Sequence, residues 1–314
     1  MSRLQFFTRF PVRKAAPRRP WRVTRTKGRM MALGRQMSRA VQVHLTNGLR
    51  AFKKRIDKEQ VYQAWLSGNY NRVMEQIPWR HLPEDLEPYR DSLVGVAGKS
   101  GMISLAALPA PISANLRFDT KNPDIRDMIS DNTARLAENI QEGTRQFIAD
   151  AVARRFDEAL SPRDVADVIR PSIGLNTRQV MALNNYRNML EKKELPDARV
   201  EELTDAYHER LLDYRSMMIA RTETRFAMNQ GQLSVWGQAA DQGLIDRNTA
   251  KKQWVTAPDA CDLCQELEDQ GPIPMDDSWQ TDDGAIDAPP RHPNCYCDTS
   301  LVFQEEKTTE EEED

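Results

Sequence analysis

All four cysteines of this 314-residue chain lie between positions 261 and 297, and the 260 residues before them contain none. A disulfide-built fold spreads its cysteines over the chain it staples. Clustering therefore confines cysteine chemistry to one short stretch and leaves the rest to fold by burial alone. The pattern is Cys261-Asp-Leu-Cys264, then 27 residues, then His292-Pro-Asn-Cys295-Tyr-Cys297. Thiolate and imidazole are the donors that tetrahedral Zn2+ prefers, and a C-x2-C pair closes a tight loop with both sulfurs on one ion. Two such half-sites are the usual zinc arrangement. Five donors compete here for four places. Spacing leaves open whether His292 binds with Cys295 or with Cys297, or whether all four cysteines bind with His292 behind them; the set Cys261, Cys264, His292 and Cys295 is preferred. The segment between the half-sites is acidic and rich in Pro and Gly, poor material for a core, so a structural metal has a clear use there.

Two other readings of the cluster are cysteines without metal, reduced or disulfide-paired, and a catalytic zinc. A zinc deaminase needs an H-x-E supplying a ligand and a general acid/base, with P-C-x-x-C downstream. Here His208 is followed directly by Glu209 and Arg210, and Ala260 precedes Cys261. The chain also has no H-E-x-x-H, G-x-S-x-G or G-x-x-x-x-G-K-[ST]. His44, His81 and His208 stand apart and read as surface or helix-face residues. The expected protein is not an enzyme.

The predicted fold is mainly α, with a small C-terminal zinc-binding module containing short strands and an extended basic N-terminal arm. Apolar residues from Met30 to Ile56 fall at helical spacing among basic ones, and a second helix is expected from Asp57 to Ile77 with Val61, Trp65 and Leu66 on one face. The stretch GVAGKSGMISLAALPAPISA reads as a linker or irregular segment. Helical periodicity resumes at Pro123 and runs to Phe156. Ser161-Pro162-Arg163-Asp164 starts a short helix, Asn176 with Gln179 starts another to about Lys193, and a last long one runs from Asp197 to Gln242, closed by Gly243. Strands are expected at Lys252–Thr256 and Tyr296–Phe303. The divisions are residues 1–56 (basic arm and helix), 57–117 (connecting region), 118–245 (helical body), 246–303 (Cys/His module) and 304–314 (acidic tail).

Net charge is only −3, but residues 1–56 carry 16 Lys/Arg and no acid, leaving 28 basic against 47 acidic residues in the remainder. Such an arm calls for a polyanion. It can neutralise phosphates without reading sequence, since a pliant segment does not hold side chains against base edges. Packaged double-stranded DNA and an acidic protein surface both fit. The Arg-rich start matches a mitochondrial transit peptide in composition alone, and the chain has no secretory apolar core and no run long enough to span a membrane.

Ala220-Arg-Thr-Glu223, Lys252-Gln-Trp254-Val-Thr256 leading into Asp259-Ala-Cys261-Asp-Leu-Cys264, and Pro289-Pro-Arg-His292-Pro-Asn-Cys295-Tyr-Cys297 together resemble the phage minor head, or head morphogenesis, proteins of the Mu F-like type. The resemblance covers roughly residues 123–303. It departs from the family at Tyr296, where H-P-N-C-R-C endings carry Arg, and in lacking an Arg before the first Cys. It implies a low-copy virion component in the capsid interior near the portal, present in the host cytoplasm during assembly, with the portal protein, scaffold and major capsid protein as partners. Rival classes are a zinc-dependent nuclease or deaminase and a zinc-ribbon DNA-binding regulator. Within Arg221-Thr222-Glu223, Arg221 is expected to share a face with Arg225 while Glu223 points elsewhere, the group forming a buried or interface ion pair between the helices and the zinc module.

Overall fold

The computed structural model describes residues 25–67, 69–158 and 172–303, and it is mainly helical, with few short strands. The first 24 residues of the arm, the helix expected from Ser161 and the acidic tail lie outside the described residues. In chain order the helices are α1 (Arg25–Lys54), α2 (Lys58–Leu66), α3 (Tyr70–Glu75), a 3-10 turn (Trp79–His81), α4 (Leu82–Asp85), α5 (Glu87–Leu105), α6 (Ala110–Ser113), α7 (Pro123–Glu158), α8 (Thr177–Glu191), α9 (Asp197–Asp241) and α10 (Asp262–Asp269). The strands are β1 (Ala250–Val255), β2 (Ile273–Pro274), β3 (Trp279–Thr281), β4 (Gly284–Ile286) and β5 (Asp298–Phe303). Contacts divide the chain into two units, each discontinuous in sequence: residues 1–35, 95–125 and 222–314 form the first, residues 36–94 and 126–221 the second. No helix among the described residues is long and apolar enough to cross a membrane.

The second unit is helical. Its part of α1 buries Val41, Leu45, Leu49 and Phe52, three- and four-residue steps that place one stripe in the core. Asp57 caps α2 by accepting from the Glu59 and Gln60 amides, and Asn69 caps α3 through Asn71 and Arg72. The single helix expected over 57–77 is therefore two, because Asn69 starts a new one. Val61 and Trp65 are buried as expected, but Leu66 is exposed. At α8 the capping box is complete: Asn176 Oδ1 accepts from the Gln179 amide at 2.9 Å, and Gln179 Oε1 accepts from the Asn176 amide at 3.2 Å.

In the first unit, the stretch expected to be irregular is helical, forming the end of α5 and all of α6. Its small residues serve close packing. A Cβ on Gly231 of α9 would run into the Ala97 carbonyl, and Ser100 Oγ donates to the Met228 carbonyl at 2.7 Å. Further along, Trp236 Nε1 donates to Ser104 Oγ at 3.1 Å. A Gly/Ala/Ser composition reads as a linker when only propensity is counted; here it lets two backbones approach. Gly243, at φ +69°, closes α9, with its own amide bonded to the Ala240 carbonyl and the Leu244 amide to the Ala239 carbonyl. That pair of bonds is the Schellman pattern. After it the chain enters β1, the centre of a three-stranded antiparallel sheet ordered β2-β1-β5, with Lys252 opposite both Ile273 and Leu301. Both expected strands are present, and β3 and β4 form a separate hairpin.

Candidate metal centre

The Cys/His module lies entirely within the first unit. Cys261 occupies the N-cap of α10 in extended backbone, φ −77° and ψ 166°, and its carbonyl accepts from the Cys264 and Gln265 amides at 3.1 Å. The first helical turn therefore holds Cys261 and Cys264 close together. The second half-site is a tight turn in which the Cys295 amide donates to the His292 carbonyl at 3.1 Å and Asn294 adopts φ +58°. Asn tolerates that left-handed region better than most residues. Cys297 follows just before β5, whose pairing with β1 fixes it against the module core.

All five predicted donors are brought together. Cys261, Cys264 and His292 form one group, and Cys264, Cys295 and Cys297 another, each with its donor atoms within 4.8 Å of one another, and Cys264 belongs to both. His292 Nε2 lies 3.1 Å from Cys261 Sγ and 3.3 Å from Cys264 Sγ, and the Cys264 and Cys295 sulfurs are 3.7 Å apart. No sulfur is disulfide-bonded, and all four are buried. Bonds of about 2.3 Å to sulfur and 2.0–2.1 Å to nitrogen put tetrahedral neighbours roughly 3.5–3.8 Å apart. The sulfur–sulfur spacing fits that edge, while the nitrogen–sulfur contacts are a few tenths of an ångström short of it. His292 Nδ1 lies 2.8 Å from the Pro293 carbonyl, an acceptor only, so this nitrogen carries a proton and Nε2 is the nitrogen that faces the sulfurs. Metal-binding histidines are oriented in this way.

The same crowding sets the proton chemistry. Hydrogen bonds received from Cys264 and from His292 pull Cys261 down to about 4. Donating to Cys261 and Cys295, together with burial, pushes Cys264 far up. Cys295 is held well below the ordinary thiol value by hydrogen bonding to Cys264 and Cys297. Burial opposes charge on His292, yet bonding to Cys261 and the charge of Cys295 lift it to about 9. A divalent cation would take the place of the protons that hold these donors together, and the residues present fit one.

Around the donors, Trp254, Ala260, Leu267, Trp279 and Ile286 form the core of the module with the four cysteines. The Trp254 and Trp279 rings meet edge to face with centroids 5.3 Å apart. One face of α9 supports the second half-site. Thr222 Oγ1 accepts from the Asn294 amide at 3.1 Å, the Arg225 guanidinium sits over the Tyr296 ring at 5.5 Å, Asn229 Oδ1 accepts from Thr299 Oγ1 at 3.0 Å, and Gln232 Nε2 donates to Asp298 Oδ1 at 2.6 Å. Sequence reasoning missed this stripe, although the three- and four-residue steps between Thr222, Arg225, Asn229 and Gln232 were the available signal. The expected arrangement of Arg221 and Glu223 is corrected: Arg221 is exposed, whereas Thr222, Glu223 and Arg225 are buried. Tyr296, the departure from the H-P-N-C-R-C ending, is the residue that receives Arg225.

Of the remaining histidines, His44 is exposed and His81 partly so, while His208 is on a buried face of α9 in the second unit, the helix-face alternative of its expectation. Burial and the nearby Lys53 ammonium, 3.3 Å from Nδ1, push it down to about 4. No protein-family model, curated protein or solved structure matches this chain.

Proposed function

We propose that the protein is an architectural minor head component of a tailed phage, acting in head morphogenesis and in DNA packaging or delivery near the portal, with a structural Zn2+ in its C-terminal module. The observation that carries this reading is the closure of the Cys/His knot. Two groups of three close donors share Cys264, and their five donors exceed the four that a tetrahedral structural ion takes, which supports a site filled by protein ligands. The ligand set is Cys261, Cys264, His292 and Cys295, with Cys297 as the spare sulfur beside it. Zinc is the ion that mixed thiolate and imidazole donors in tetrahedral spacing favour. Of the acids an enzyme would use, Glu266 is exposed on α10 and Glu223 is buried on α9, and Glu268 nearby is bound to the Thr256 amide and hydroxyl at 3.3 and 2.7 Å. The motif order that resembles the Mu F-like proteins gives the head role, with portal protein, scaffold and major capsid protein as partners. The basic arm gives the DNA contact.

The test compares phage heads carrying the parent chain, Cys264→Ser and Glu266→Gln. The expected result is that the parent and Glu266→Gln co-purify with heads or portal protein and give infectious particles, while Cys264→Ser loses its C-terminal module and its infectivity. Metal-dependent nuclease or deaminase activity in the parent, abolished by Glu266→Gln in well-assembled heads, would replace this reading with the enzymatic one.

A further inference from the structure

The basic segment before α1 and the acidic segment after β5 join the described fold at one place. Thr26 and Lys27, in the first turn of α1, and Leu301 and Phe303, at the end of β5, line a single cavity of about 350 Å3 within the first unit. Residue 24 therefore enters the fold beside the point from which residue 304 departs.

The charges that meet there are opposite. Residues 1–24 hold seven Lys/Arg and no acid, whereas residues 304–314 hold seven acids and one Lys. The first turns of α1 extend the basic side, because Arg29 and Arg35 are exposed and, among the described residues, neither forms an ion pair. Lys27 does not count with them: its ammonium lies 3.4 Å from the Thr256 carbonyl and beside Asp298 and Glu268. Charge also decides where the acidic segment does not settle. The module that it follows carries 12 acids against 4 Lys/Arg over residues 246–303, so the segment is repelled by its own module and drawn to the basic side. Reach permits the contact. A chain extends at most ~3.6 Å per residue, about 36 Å over 304–314, while the helical rise places Arg35 only about 15 Å along α1 from Arg25. Segments tethered so close meet at an effective concentration on the order of millimolar.

We infer that residues 305–314 dock on the basic side formed by Arg29, Arg35 and residues 1–24, and that this contact competes with outside polyanions for the same cations. The carboxylates stand in for phosphates. Double-stranded DNA, with one negative charge per ~1.7 Å of axis, displaces them, while short or weakly charged polyanions do not. The contact stands apart from the phage reading; only its consequence for DNA rests on the DNA contact proposed above.

The contact is read on the full chain carrying Arg29→Lys and Arg35→Lys, which keep both charges and supply amines. A water-soluble carbodiimide joins a carboxylate to a touching amine with loss of water. Mass spectrometry is expected to find links within one chain from the carboxylates of 305–314 to positions 29 and 35 or to Lys14. Their yield should fall at least tenfold in 1 M salt, where the screening length is about 3 Å. The competition is read by anisotropy, titrating a fluorescein-labelled 20-base-pair duplex with the parent and with a variant whose acids in 305–314 are changed to Gln and Asn. The neutral variant is expected to bind at least tenfold more tightly at low salt, with circular dichroism verifying unchanged helix content. Links spread evenly over lysines of the second unit such as Lys192 and Lys193, links between chains, no link at positions 14, 29 and 35, or equal DNA affinity of parent and neutral variant would each overturn the inference. Failure of both proteins to bind DNA would remove the DNA reading alone, and the cross-links would still decide the contact.

Discussion

His292 and Cys297 differ in what they offer an ion. His292 Nε2 is aimed at two sulfurs by a bond from its other nitrogen to a carbonyl, whereas Cys297 belongs to the second group, with Cys264 and Cys295. Cys297→Ser is therefore expected to keep the ion against a chelator. Cys264→Ser should release it and forfeit a large share of a binding free energy on the order of 10 kcal/mol. The four cysteines and the histidine were legible because donor chemistry at short spacing needs no tertiary information. Thr222 and Arg225 were not, because which side of a long helix faces the knot depends on packing. A second residue-scale expectation concerns His208. Its folded-state value of about 4 lies below the ordinary 6.5, so the unfolded chain binds the proton first as pH falls. Its stabilising contribution is complete above about pH 6.5 and is lost toward pH 4, with about 2 kcal/mol disappearing between pH 7 and pH 5. Urea unfolding of the parent and His208→Leu at both pH values measures this, and an identical pH dependence in the two would contradict it.

Among the elements, caps were readable and close packing was not. Asn176 with Gln179 announces α8 by a side-chain pattern that acts locally, and Asn176→Ala is expected to cost about 1 kcal/mol in chemical unfolding. The end of α5 was misread because its glycines and alanines weaken a helix by propensity, while their value lies in what they meet. Two substitutions separate these effects. A Cβ at Gly95 meets nothing within 4 Å, so Gly95→Ala should stabilise by about 0.5–1 kcal/mol through helix propensity alone. A Cβ at Gly231 meets the Ala97 carbonyl, so Gly231→Ala should destabilise by about 1–3 kcal/mol. Equal effects from the two would mean that α5 and α9 do not approach as described.

For the whole molecule, the distribution of charge and the metal knot are separate devices. Val41, Leu45, Leu49 and Phe52 of α1 are core residues, so this part of the basic region belongs to the fold. If about half of the 16 basic residues in 1–56 touch phosphates, the logarithm of DNA affinity should fall against the logarithm of salt with a slope near −7. Deleting residues 1–24, which hold seven of the 16, should flatten that slope clearly; an unchanged slope would place the DNA contact elsewhere. The central claim is that the C-terminal module is closed around a four-donor zinc. X-ray absorption at the zinc edge, on full-length protein purified without added metal, tests it most directly. The account predicts one zinc per chain with three sulfurs at about 2.3 Å and one nitrogen at 2.0–2.1 Å, unchanged in Cys297→Ser. A metal-free chain, or a zinc carrying a water oxygen in place of one protein donor, would contradict it.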